Sequence, residues 1–146
     1  MSDGAVVVGF DGTIGSHAAL MAAIHLARAT HRPVAAVHVE HMPPIAAGAA
    51  LGSGAGPMIA AEDAQAEVCR SDCADILGAA DVRWTFEVRH GNPAAELASA
   101  AAEHHAAYLV VGRHGHHGVA RFLAGSVSQR LLHRARHPLL IIPPPA

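Results

Sequence analysis

A chain of 146 residues has room for one domain, and one that can bury roughly two-thirds of its unfolded surface. A formal charge of -2 and a near-neutral pI exclude the basic platform of a nucleic-acid binder. All 10 basic residues are arginines, and the absence of lysine excludes a Walker A loop.

The chain also lacks G-x-G-x-x-G, H-E-x-x-H, C-x-x-C and G-x-S-x-G. It opens on polar MSDG with no leader pattern, and no apolar run approaches the roughly 20 residues needed to span a bilayer. The default expectation is a soluble cytoplasmic protein with no membrane association.

Residues 5 to 9, AVVVG, are continuously apolar, as in a parallel strand covered on both faces, and Phe10, Asp11 and Gly12 end the run. A helical pattern starts at Ser16, with Leu20, Ala23, Ile24 and Ala27 on one stripe. PVAAVHV, from Pro33 to Val39, predicts a second buried strand. Residues 41 to 57 are rich in Pro, Gly and Ala without a period, which predicts a flexible surface loop. Helix is expected from about Ile59 to Ala80, with Ala66, Cys69, Cys73, Ile76 and Ala80 on one face. In WTFEV, residues 84 to 88, Trp84, Phe86 and Val88 alternate with Thr85 and Glu87, the pattern of an edge strand.

Asn92 and Pro93 have the chemistry of an N-cap and a first helical residue, and Ala94, Leu97, Ala98 and Ala101 form the stripe of a third helix ending near His104 and His105. Tyr108 to Val111 predicts the fourth strand. After the glycine loop and a fourth helix, Leu139 to Ile142 predicts the fifth. This order gives an α/β fold, a single doubly wound five-stranded parallel sheet with helices on both faces, over residues 1–146. Ligands in such sheets bind where the strand order reverses. The unusual residues at the ends of strands 1 and 4, Asp11 and Gly112, should meet there, giving strand order 3-2-1-4-5.

The richest stretch is AYLVVGRHGHHGVARFLAGSVS, residues 107 to 128, a strand running into a possible anion cradle. Gly112, Gly115, Gly125 and Ser126 follow the spacing G-x2-G-x9-G-S. Such a loop lets main-chain N–H groups approach an anion closely, and the following helix start adds unpaired donors and about half a positive charge. Ser126 can cap a helix beginning near Val127 and also turn its hydroxyl to a phosphate.

This spacing strongly resembles the nucleotide signature of the universal stress protein family, in its ATP-binding branch. VVVGFDGTIGSHAAL (residues 6 to 20) and RHPLLIIPP (residues 136 to 144) are similar to the family's first strand and helix start and to its last strand. The resemblance implies that Gly112 and Gly115 line ribose and phosphates, and that Gly125, Ser126, Val127 and Ser128 hold the phosphate tail. It implies that Asp11 contacts the nucleoside or, with Ser126, a Mg or Mn ion bridging phosphates, that Gly9 admits the base and that the main chain of Val39 reads the adenine edge. His114 matches a polar position near the nucleotide. Family members pair through their last strands, which implies a homodimer through Leu139 to Ile142 and agrees with an apolar edge that needs cover.

Structural readings stand beside these. Asp11 can cap the turn that follows it. Val39 can pack in the core. Arg113 and Arg121 can neutralise phosphate or be solvated. Arg130, Arg134 and Arg136 suit the negative end of the fourth helix. The 13 histidines include His114, His116, His117, His133 and His137, but a metal site needs fixed geometry that a glycine-rich loop does not ensure. Cys69 and Cys73 read as small core residues.

The sequence therefore points to an ATP-binding, nucleotide-responsive regulatory module in stress response. It offers no catalytic residue pair and no lysine near the loop. Enzyme status is open, with at most slow metal-dependent hydrolysis through Asp11 and Ser126. Two alternatives are a nucleotide-free dimeric interaction protein of the same fold and an ATP pyrophosphatase-like enzyme. The latter usually carries a serine and glycine-rich loop after strand 1, which FDGTIGS fits poorly.

Overall fold

The computed structural model describes residues 4–40, 56–113 and 126–145, with side chains over 56–62 and at 126 left aside. In chain order the elements are β1 (Val6–Gly9), α1 (Ile14–Thr30), β2 (Val34–Glu40), α2 (Gly56–Gly78), β3 (Trp84–His90), α3 (Pro93–Glu103), β4 (Tyr108–Gly112), α4 (Ser126–Arg134) and β5 (Leu139–Ile142).

The five strands form one parallel sheet in the order β3-β2-β1-β4-β5, as expected from Asp11 and Gly112. Alternation splits the core. Val6, Val8 and Phe10 pack with α1 and α2 on one face, while Val7, Val37, Leu109 and Val111 pack with α3 and α4 on the other. Val6, Val7 and Val8 are all fully buried, which is why β1 reads as an unbroken apolar run. At the β3 edge, Trp84 and Phe86 join the α1 and α2 side. The opposite face of β3 carries Glu87 and Arg89, which meet Glu96, Glu103 and His104 of α3 and its cap.

Several boundaries differ from the sequence reading: β2, β3 and β4 run on to Glu40, His90 and Gly112, α2 ends at Gly78 rather than Ala80, and α4 starts at Ser126 rather than Val127. Helix α1 begins at Ile14 rather than Ser16, because Thr13 in extended conformation takes the N-cap and accepts the Ser16 N–H on its hydroxyl at 3.3 Å. Gly56 and Pro57, assigned above to the flexible loop, are the first residues of α2, where proline fits the start of a helix; residues 41–55 lie outside the described residues. Arg136 falls beyond the end of α4 at Arg134. The cap at Asn92, which accepts the Ala95 N–H at 3.1 Å, and Pro93 behind it stand as expected.

Candidate functional site

The carboxyl ends of β1 and β4 adjoin, and the segment leaving β1 is tightly built. Asp11 Oδ1 accepts the Thr13 N–H at 3.0 Å and its hydroxyl at 2.5 Å, an Asx turn that fixes the carboxylate at the start of α1. Gly12 between them has φ +84, a left-handed conformation that a side chain would strain. Ser16 Oγ donates to the Thr13 carbonyl at 3.0 Å, and Gln65 of α2 donates to the Asp11 carbonyl at 3.4 Å. Asp11 therefore does cap its turn, with both hydrogen bonds on one carboxylate oxygen.

Gly112, at the end of β4, lies against the first turn of α1: a Cβ there would sit 2.6 Å from the Gly15 carbonyl oxygen. Close helix-to-strand packing thus demands glycine at this position, apart from any ligand. The space that a Gly9 side chain would need is bordered by Leu97 of α3 at 3.2 Å, so the missing Cβ there accommodates the α3 side. Arg113 is exposed, and its N–H extends the ladder to the Ile142 carbonyl at 2.9 Å.

Ladder parity orients Val39. The Phe10 N–H donates to the Val37 carbonyl at 2.9 Å, and the Gly91 N–H to the Glu40 carbonyl at 3.0 Å. Odd residues of β2 therefore direct their main chain toward β1 and even residues toward β3. Since the β1 pairing ends at Gly9 opposite Val37, the main chain of Val39 points past the end of β1. The Phe10 carbonyl, next in line, is met instead by His38 Nδ1 at 3.0 Å.

Val127 and Ser128 lie in the first turns of α4, Val127 half-buried against the α3 side and Ser128 buried; Ser126 is the first residue of the helix. His114, His116, His117, Gly115, Arg121 and Gly125 lie outside the described residues. The structure thus gathers Gly9, Asp11, Val39 and Gly112 at one end of the sheet and starts α4 after β4. Among the described residues, no three His, Cys, Asp or Glu side chains gather as a metal site.

The model of the family described as the universal stress protein family matches residues 4–143. The chain belongs to the universal stress protein family. Among solved structures, a universal stress protein in complex with cAMP is 24% identical, with 99% of this chain and 100% of that one covered and a TM-score of 0.74. A family member from Burkholderia pseudomallei is 27% identical over 97% of this chain and 96% of its own, with a TM-score of 0.71. The universal stress protein from Archaeoglobus fulgidus in complex with dAMP is 20% identical over 97% of this chain and 99% of its own, also with a TM-score of 0.71. Comparison with curated protein sequences gave no match.

Within this universal stress protein, two features near the site, at His38 and Glu40, escaped the sequence reading, while Cys69 is the core residue expected. His38 is buried; because a carbonyl only accepts, Nδ1 donates to it, and among the described residues the buried Nε2 has no hydrogen-bond partner. Glu40, only 3% exposed, meets His90 Nε2 at 2.8 Å across the β2–β3 register. Cys69 packs beneath Gly12; burial pushes its thiol up to about 11, with Asp11 and Asp72 adding to the rise and the Gln65 hydrogen bond opposing it. A polar residue inside an apolar strand, as in AVHVE, was the available signal for His38 and Glu40. Among the described residues, no helix is long and apolar enough to cross a membrane.

Proposed function

We propose that this universal stress protein binds ATP at the carboxyl ends of β1 and β4 and acts as a nucleotide-responsive regulatory module. Its support is one coincidence: the spaced residues Gly112, Gly115, Gly125 and Ser126 begin where Asp11 leaves the neighbouring strand, at the reversal of strand order. The main chain of Val39, directed past the end of β1, offers an N–H and a carbonyl for an adenine edge. The first turn of α4, with Ser126, Val127 and Ser128, offers donors for phosphate. In sequence, Arg113 and His114 follow the first glycine of the motif. Relatives solved with cAMP and dAMP add weight to an adenine nucleotide.

The oxygen donors suit a magnesium or manganese ion bridging phosphates. One Asp11 carboxylate oxygen is committed to Thr13, so the other and the Ser126 hydroxyl would be its protein ligands. Such an ion would neutralise phosphate charge. The chain's own residues would position the nucleotide. Dimerisation through β5 and a cytoplasmic role in stress response belong to the same proposal.

Native mass spectrometry of the purified protein should find a co-purified adenine nucleotide, and calorimetry should show ATP binding. Absence of both would remove ATP and favour a nucleotide-free interaction protein, whereas rapid metal-dependent turnover would favour an enzyme.

A further inference from the structure

The opposite, amino-terminal end of the sheet holds a cavity of about 390 Å³ between the α1–β2 and α2–β3 turns. Arg28, His31, Arg32 and Arg83 line it, with Asp81 as its carboxylate. Both turns are fixed by main-chain hydrogen bonds: the Arg32 N–H donates to the Ala27 carbonyl and the Val34 N–H to the Arg83 carbonyl, each at 2.9 Å. His31 and Asp81 both adopt left-handed conformations, each with φ 56.

The positive charge in this cavity is not neutralised. Arg28 donates through Nε and Nη2 to the Ala80 carbonyl, and Arg32 through Nη1 to the Gly4 carbonyl at 2.9 Å. Carbonyls satisfy donors but carry no formal charge. Among the described residues, none of the three arginines forms an ion pair, and Arg32 Nε is buried with no hydrogen-bond partner. The negative end of α1 offsets only about half a charge. Three arginines and one carboxylate line the cavity, an excess of two positive charges on a chain whose net charge is -2.

We propose that this cavity binds a phosphorylated small molecule, its phosphoryl dianion held between Arg32 and Arg83. The charge excess matches a dianion, and guanidinium forks suit phosphate oxygens. The volume exceeds what phosphate alone requires and falls in the range of small-molecule pockets, about 300–1,000 Å³. The site lies at the other end of the sheet from Asp11 and Gly112, so it stands or falls independently of ATP binding there.

The test is amide NMR of the full chain titrated with glycerol 3-phosphate, inorganic phosphate and glycerol. Amides of Ala27 to Arg32 and Asp81 to Arg83 should shift with both phosphates, more tightly with glycerol 3-phosphate, and not with glycerol. Arg83→Gln should weaken binding about tenfold, as expected for losing one charge-assisted contact, while Asp81→Asn should tighten it. Both side chains are exposed, so the variants should keep the parent spectrum elsewhere. Shifts confined to the Asp11 and Gly112 end, or affinities indifferent to both substitutions, would overturn the site. Equal affinities for the two phosphates would assign it to free phosphate instead.

Discussion

Gly112 at the end of β4 and Gly15 in the first turn of α1 touch through their main chains, with no room for a methyl group between them. Gly112→Ala places a Cβ 2.6 Å from the Gly15 carbonyl oxygen, and neither backbone can yield without moving a strand or a helix. The expected cost is about 1–3 kcal/mol of stability with or without nucleotide, measured by urea unfolding. Parent-like stability would mean that α1 shifts freely.

Gly115→Ala and Ser126→Ala carry the nucleotide proposal, since they change the cradle rather than the sheet. Each should weaken ATP binding more than it lowers stability. Equal ATP affinity for variants and parent in calorimetry would take the loop out of the site.

Asp11→Asn separates turn from charge. The amide oxygen can still accept from Thr13, so the fold should persist, while magnesium should no longer strengthen ATP binding. A variant that retains the full magnesium effect would remove Asp11 as a ligand.

At β5, the carbonyls of Pro138 and Ile142 accept from Leu109 and Arg113, so even residues face β4 and the main chains of Leu139 and Ile141 face outward. Ile141→Pro deletes an outward N–H without breaking the ladder to β4. Light scattering at micromolar concentration should show a dimeric parent and a monomeric variant. A monomeric parent would end the expectation of pairing through this edge.

The buried thiols set an alkaline limit. Burial pushes Cys73 up to about 12 and Cys69 up to about 11 from an ordinary 9.0, with the Cys69 charge adding to the rise at Cys73. A raised folded-state value means the contribution is complete below 9.0 and is lost as pH climbs toward 11 and 12. The melting temperature should fall over that window, and the double variant Cys69→Ala, Cys73→Ala should fall less steeply. Identical slopes would show that other groups dominate.

Arg89 bridges Glu96 at 3.1 Å, Glu103 at 2.8 Å and Glu87 at 3.2 Å. Its hydrogen bond and then its charge hold the Glu103 carboxyl below the usual range, so that stabilisation exists above the ordinary carboxylate value and vanishes as pH falls through the lowered one. Arg89→Gln should be less stable than the parent near neutrality, with the gap narrowing as the pH falls below the ordinary carboxylate range. A gap that does not depend on pH would make the role of Arg89 one of packing.

Strand order was legible because Asp11 and Gly112 stand out at the ends of apolar runs, and the start of α3 because Asn92 and Pro93 are cap chemistry. The first turn of α1 was less so, since Thr13 and Ser16 both carry a hydroxyl and only the backbone shows which one caps. Gly112 was noticed for its place in a ligand motif, while its contact with Gly15 depends on how β4 and α1 approach in space. The Glu40–His90 pair required the β2–β3 register. The left-handed His31 and Asp81, which shape the basic cavity, carry no glycine to announce them.

Cys69 and Cys73, the chain's 2 cysteines, are completely shielded on the inner side of α2 and held as neutral thiols. A cysteine introduced at an exposed position such as Asp75 would then be the group that a maleimide dye reaches in the native protein. Fluorescent reporters of ligand occupancy can be attached to this molecule without first stripping out its own sulfur.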